Sequence, residues 1–136
     1  MPHDVKESPE AIQVSVKAPS REELFRAALT AVLETAYGGL PAEGSCEGRV
    51  VPVQAAGEDD DVLLADLVDD TLRAIVEETG TLRPPRWLAF DEKRVTAALP
   101  VHVPGTASQP LQLASAEVAA EEGGWTARLE LLRPAG

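Results

Sequence analysis

The side chains best equipped for chemistry in this chain are the consecutive carboxylates Asp59, Asp60 and Asp61, two histidines, one cysteine, and Trp87 and Phe90 set among arginines. Adjacent aspartates offer hard oxygen donors for Ca²⁺ or Mg²⁺, or an acidic contact for a basic protein. The triplet also has a structural reason to exist. It runs directly into Val62, Leu63, Leu64, Leu67 and Val68 at helical spacing. Acidic residues in a first helical turn meet the positive end of the macrodipole, each contributing about 0.3–1 kcal/mol when exposed.

Nucleophilic catalysis needs Ser, Cys or Thr beside a positioned base. The bases here are His3, near the N-terminus, and His102, which falls on the polar side of the Val95–Val103 alternation and reads as a solvated strand residue. Gly44-Ser45-Cys46-Glu47-Gly48 superficially matches a nucleophile elbow, but its serine is off-centre and no strand precedes it. No Walker loop, dinucleotide fingerprint, HExxH or EF-hand spacing occurs. Trp87 and Phe90, with Arg83, Arg86, Lys93 and Arg94 around them, resemble a platform for stacking single-stranded bases. On a regular strand, however, the two rings fall on opposite faces, which favours core packing for at least one. Asp66, Asp69, Asp70, Glu77 and Glu78 line the polar side of a helix and read as a solvated face.

Composition narrows the classes further. A length of 136 residues suits one domain, and 44% apolar with 26% charged residues is ordinary for a folded chain. The formal charge of −11 weighs against an electrostatic hold on nucleic acid and suits a basic protein partner instead. Cys46 stands alone, so neither an internal disulfide nor a thiolate metal cage can form, which fits a reducing compartment. Met1–Glu10 lacks the apolar core of a signal peptide, and no uncharged run is long enough to cross a bilayer. The cytoplasm is therefore the expected location.

The elements that must position these residues are read from periodicity. Residues 1–10 show none and are expected to form a loose arm, ahead of one domain over 11–134. Ile12, Val14 and Val16 alternate with Gln13, Ser15 and Lys17, as in a strand with one buried face. Ser20 and Glu23 have capping-box spacing, and an apolar stripe from Leu24 to Ala36 predicts a helix released at Gly38 and Gly39. Residues 40–48 read as a loop. A strand follows over Val50–Ala55, placed at an edge because Pro52 lacks an N–H. The Asp59–Asp61 helix is expected to end at Gly80.

From Arg86 the period returns to two, with hairpin turns at Asp91–Lys93 and Glu121–Gly124. The order is β-α-β-α-β-β-β-β, an α+β class with two amphipathic helices packed on a mostly antiparallel sheet.

Three stretches, in order, resemble the archease family: Ile12 to Phe25 with its Glu22-Glu23-Leu24-Phe25 helix start, Gly57 to Ile75 with Leu63-Leu64-Ala65-Asp66-Leu67, and Ser115 to Val118 with the Gly123-Gly124-Trp125 turn. The resemblance implies a non-enzymatic, acidic accessory protein for an RtcB-type RNA ligase in tRNA splicing and RNA repair, promoting guanylylation and turnover. It also implies a divalent-metal site. There the family has a His-Thr-Ala-Asp motif, which falls on Ser8, Pro9, Glu10 and Ala11, and an aspartate ending the last strand, which falls on Leu132.

Neither Ala11 nor Leu132 has an oxygen side chain for a hard cation. Asp4 and Glu10 are the nearest substitutes in sequence, and nothing substitutes at Leu132. The family's His and Lys before Glu117 likewise appear as Ala114 and Gln109. The expectation is thus a non-enzymatic protein with no catalytic residue and no resident cofactor. Its partner is a protein such as a basic RNA ligase, with no direct contact to nucleic acid or membrane. Asp59, Asp60 and Asp61 remain the candidate contact for a partner or for Ca²⁺ or Mg²⁺. The alternative is a metal-independent structural or chaperone-like interaction module on the same fold.

Overall fold

The N-terminal stretch is not all loose arm: His3–Glu7 form an edge strand, paired antiparallel with the strand after it from His3 opposite Val16 to Glu7 opposite Ile12. A polar segment with no apolar periodicity in its sequence is paired here through a neighbour's backbone hydrogen bonds, which residue types do not reveal. These two strands are β1 (His3–Glu7) and β2 (Ala11–Ala18). The chain continues through α1 (Arg21–Tyr37), β3 (Ser45–Ala56), α2 (Asp60–Glu77), β4 (Thr81–Leu82), β5 (Arg86–Phe90), β6 (Arg94–Val103), β7 (Gln112–Glu121) and β8 (Gly124–Leu132). The computed structural model describes residues 3–7, 11–38, 45–78, 80–103 and 108–133, with backbone alone for 3–7, 45–48 and 103.

The α+β class is as expected, but the strands divide between two antiparallel sheets where one was anticipated. One sheet has the order β1-β2-β8-β7; in the other β3 and β4 flank β6, and β5 also pairs with β6. In the first, Ile12, Val14 and Val16 stand opposite Leu131, Leu129 and Ala127, so the buried faces of two strands coincide rung by rung. The hairpins fall where turn chemistry placed them, with Asp91 N–H bonded to Arg94 O at 2.9 Å and Glu121 paired with Gly124. β3 starts at Ser45, inside the expected loop, and is an edge strand as Pro52 requires.

Helix α1 begins as its residues dictate: Ser20 Oγ accepts from Glu23 N–H at 3.2 Å, and Gly38 closes the helix in the left-handed region at φ 72°. Its burial exceeds a single stripe, taking in Ala31, Thr35 and Tyr37 beside the expected positions. A helix apolar on most sides is enclosed by its neighbours, and α1 lies against β2 and β8 in one core cluster shared with α2. Helix α2 starts at the Asp59 N-cap but ends at Glu77, with extended Glu78 as C-cap, so Gly80 does not terminate it. Gly80 is instead a close approach: a Cβ there would lie 2.3 Å from Val101 Cγ1. Among the described residues no helix is long and apolar enough to cross a membrane.

The position of α2 explains how two sheets make one fold. It packs against β3 at the edge of one sheet and β7 at the edge of the other. Edge strands carry backbone N–H groups without a ladder partner, and α2 supplies acceptors. Asp66 Oδ2 takes Ala56 N–H at 3.0 Å, Asp70 Oδ2 takes Gln54 N–H at 2.8 Å, and Asp61 Oδ1 takes Val118 N–H at 2.6 Å. Helix α1 contributes the opposite chemistry. Arg21 donates to the carbonyls of Asp91 and Glu92 at 3.1 and 2.9 Å, and Arg26 Nε donates to Pro85 O at 3.2 Å.

If α2 carboxylates seal the edges, Asp70→Ala will lower unfolding free energy in urea by about 1 kcal/mol, the net value of a typical intramolecular hydrogen bond. Asp70→Asn, which keeps a side-chain oxygen, will lose less.

Candidate functional site

The three candidate acids diverge. Asp59 is the N-cap of α2, and its Oδ1 accepts from Val62 N–H at 2.9 Å. Asp60 Oδ1 receives Arg21 Nε at 2.8 Å and Nη2 at 2.7 Å. Asp61 reaches across to β7. A helix turns about 100° per residue, so consecutive side chains face different elements, and each carboxylate here has its own partner. The triplet is thus three separate joints. Among the described residues no group of three His, Cys, Asp or Glu is arranged to hold a metal ion.

Farther along α2, Asp66 and Asp70 are not merely solvated, since they cap β3; Asp70 also pairs with Arg73, whose Nη1 bonds Glu77 at 2.7 Å. Glu78 receives both terminal nitrogens of Arg49 at 2.7 Å. Asp69 lies between them in a groove floored by Pro52, Gln54 and Thr96. Partial burial, and then the Asp66 charge, hold the Asp69 carboxyl above the usual carboxylate range.

His102 is not solvated; it is 4% exposed. It occupies the inner strand of its sheet, opposite Cys46 on β3 and Thr81 on β4, and the alternation that assigns a face does not say which strand is central. Ser45 and Cys46 lie in β3 as backbone pairs of Val103 and His102, and Gly44 lies outside the described residues.

Trp87 and Phe90 share a face after all. The β5–β6 register shifts between Trp87 and Ala89, so Leu88 is an extra residue, and a one-residue bulge reverses the parity of the rest of its strand. The rings of Trp87 and Phe90 stand 5.0 Å apart and Phe25 meets Phe90 edge-on at 5.4 Å. The Arg21 guanidinium lies 4.9 Å from the Phe90 centroid and 5.2 Å from that of Phe25, a cation–π arrangement. The rings and Arg21 form an internal cluster rather than a stacking platform.

The two positions singled out by resemblance do come together. Ala11 stands directly opposite Leu132 across the β2–β8 ladder, and Leu132 is also opposite Gln112 of β7. Cβ atoms of directly opposed residues are about 5 Å apart, a spacing that two carboxylates could bridge through one cation. Asp4 is remote, being paired with Ser15, and Glu10 lies outside the described residues. Ala114 is the extra residue of a second bulge, between Leu113 and Ser115.

Gln109 precedes β7 and latches the end of α1. Its N–H donates to Ala36 O at 2.8 Å and its Nε2 to Thr35 O at 2.7 Å, while Arg133 Nε donates to its Oε1 at 3.1 Å. It thus satisfies carbonyls that a helix C-terminus leaves open. Residue type gave no notice of this role or of the Arg21 hub, because both partners are distant in sequence.

Set against models of known protein families and against curated proteins, the chain matches none of them.

An acid with a raised folded-state pKa favours folding while protonated, and its ionisation opposes folding as pH rises through that range. Asp69→Asn will therefore raise the urea midpoint at about pH 7, and the difference from the parent will vanish near pH 3, where both side chains are neutral.

Proposed function

We propose that the chain is a non-enzymatic, archease-like accessory protein that works by binding a protein partner without a resident metal, the partner being an RtcB-type RNA ligase. The observation carrying this reading is the Ala11–Leu132 rung. Two positions chosen by resemblance, at opposite ends of the sequence, are immediate neighbours in space, as a shared metal site in the family would require. A methyl and an isobutyl group stand where hard-cation chemistry needs oxygen. The pairing supports the reading, with different chemistry at that rung. The acidity favours a basic, RNA-handling protein over RNA itself, because a charge of −11 repels phosphate and attracts Lys and Arg.

Two measurements test the reading. Calorimetric titration of metal-free protein with Ca²⁺ and Mg²⁺ will give no binding heat and no rise in melting midpoint, since a ligand bound only by the native state must raise it. Stoichiometric protein will raise guanylylation turnover of an RtcB-type ligase from the same source. A raised midpoint overturns metal independence. Absent stimulation overturns the ligase assignment and leaves the structural interaction module.

A further inference from the structure

The two sheets turn different outer faces to solvent. On the β1-β2-β8-β7 sheet the residues facing away from the core include Gln13, Ser15, Lys17, Glu117 and Arg128, all exposed. That is the ordinary condition of a half-solvated antiparallel sheet. The other sheet departs from it. On β3 the outward residues Val50 and Pro52 face Pro100 and Ala98 across the ladder; Arg86 of β5 continues the Pro52–Ala98 row, and Ala89 continues the next outward row, Gln54–Thr96. Val50 is 48% exposed, and Leu88, extruded by its bulge, is 64% exposed. Pro52 and Ala89 are exposed as well. Apolar surface gathered on one uncovered face marks an interaction site.

The strip has two flanks of opposite charge. Beside β3 runs the mainly acidic face of α2, whose Asp66, Asp69 and Asp70 border the same groove as Pro52 and Thr96, with Arg73 there paired to Asp70 and Glu77, so that the flank stays net negative. Beside β6 on the far side is β5 with exposed Arg86, preceded by Arg83, whose N–H is bonded to Pro100 O at 2.8 Å.

We infer that this face binds a second copy of the chain about a two-fold axis parallel to its strands. A symmetric interface must be complementary to itself. Rotation about an axis along the strands exchanges left and right, so the aspartate flank of one copy meets the arginine flank of the other. An axis across the strands would set acid against acid. The net charge of −11 opposes association at long range, but physiological salt screens it beyond about 8 Å, leaving the contacts across the strip to decide. Strands about 4.8 Å apart make a narrow strip, so the dimer belongs to the small, readily dissociating class. This face is on the opposite sheet from the Ala11–Leu132 rung, and the inference is independent of the ligase reading.

Sedimentation velocity across about 10 to 500 μM tests it, with the mass rising toward two chains at the upper end. Leu88→Lys, Asp69→Arg and Arg86→Asp will each weaken association by at least about tenfold. Combining Asp69→Arg with Arg86→Asp will restore it, because both flanks are then exchanged together. All three residues are exposed, and circular dichroism with urea midpoints will verify that each variant folds. A single-chain mass at every concentration overturns the inference. So does a dimer indifferent to Leu88→Lys, or a double variant as weak as the single ones.

Discussion

Backbone N–H groups at the edge of a sheet must find acceptors, and in this protein one helix provides them to two sheets at once. Asp66 and Asp70 of α2 reach Ala56 and Gln54 on β3, while Asp61 reaches Val118 on β7. Because β3 and β7 belong to different sheets, α2 does the joining that a shared strand would otherwise do. Its apolar side, with Leu63, Leu64, Leu67 and Val68 fully buried, completes the core beneath the same seam. Part of the chain's negative charge is therefore structural: the carboxylates protect exposed strand edges against pairing with other chains while holding the fold closed.

Helix α1 is the complement in chemistry. Its arginines give donors to carbonyls around β5, at Pro85, Asp91 and Glu92, as α2 gives acceptors to N–H groups. Arg21 joins the two systems by pairing with Asp60 at the start of α2 and lying over the Phe25 and Phe90 rings. At the other end of α1, Gln109 closes open carbonyls while Arg133 holds the Gln109 Oε1, and buried Tyr37 accepts the Leu82 N–H at 3.2 Å. Both helices are thereby held at their ends as well as along their buried sides.

This commitment of polar groups bears on function. Asp59, Asp60 and Asp61 each serve a different structural partner, and Trp87 and Phe90 pack with Phe25. The accessory role proposed above needs a binding surface and no reacting group, and it is compatible with a fold whose carboxylates are largely occupied.

Local features were legible because they depend on neighbours in sequence. The alternation in β2, the Ser20 cap, the Asp59–Asp61 helix start, the edge position implied by Pro52 and both hairpin turns are set by side chains a few residues apart. Tertiary structure decided the rest. It ordered the polar strand His3–Glu7 by pairing, divided the strands into two sheets, and buried His102 between two neighbours. A single extra residue, Leu88, reversed the faces of Ala89 and Phe90 after it in β5, a shift that no periodicity reports in advance. Asp61, Asp66 and Asp70 could be recognised from sequence as helical and acidic, but not as caps. The N–H groups they satisfy lie on strands whose proximity arises only when the two sheets close around α2.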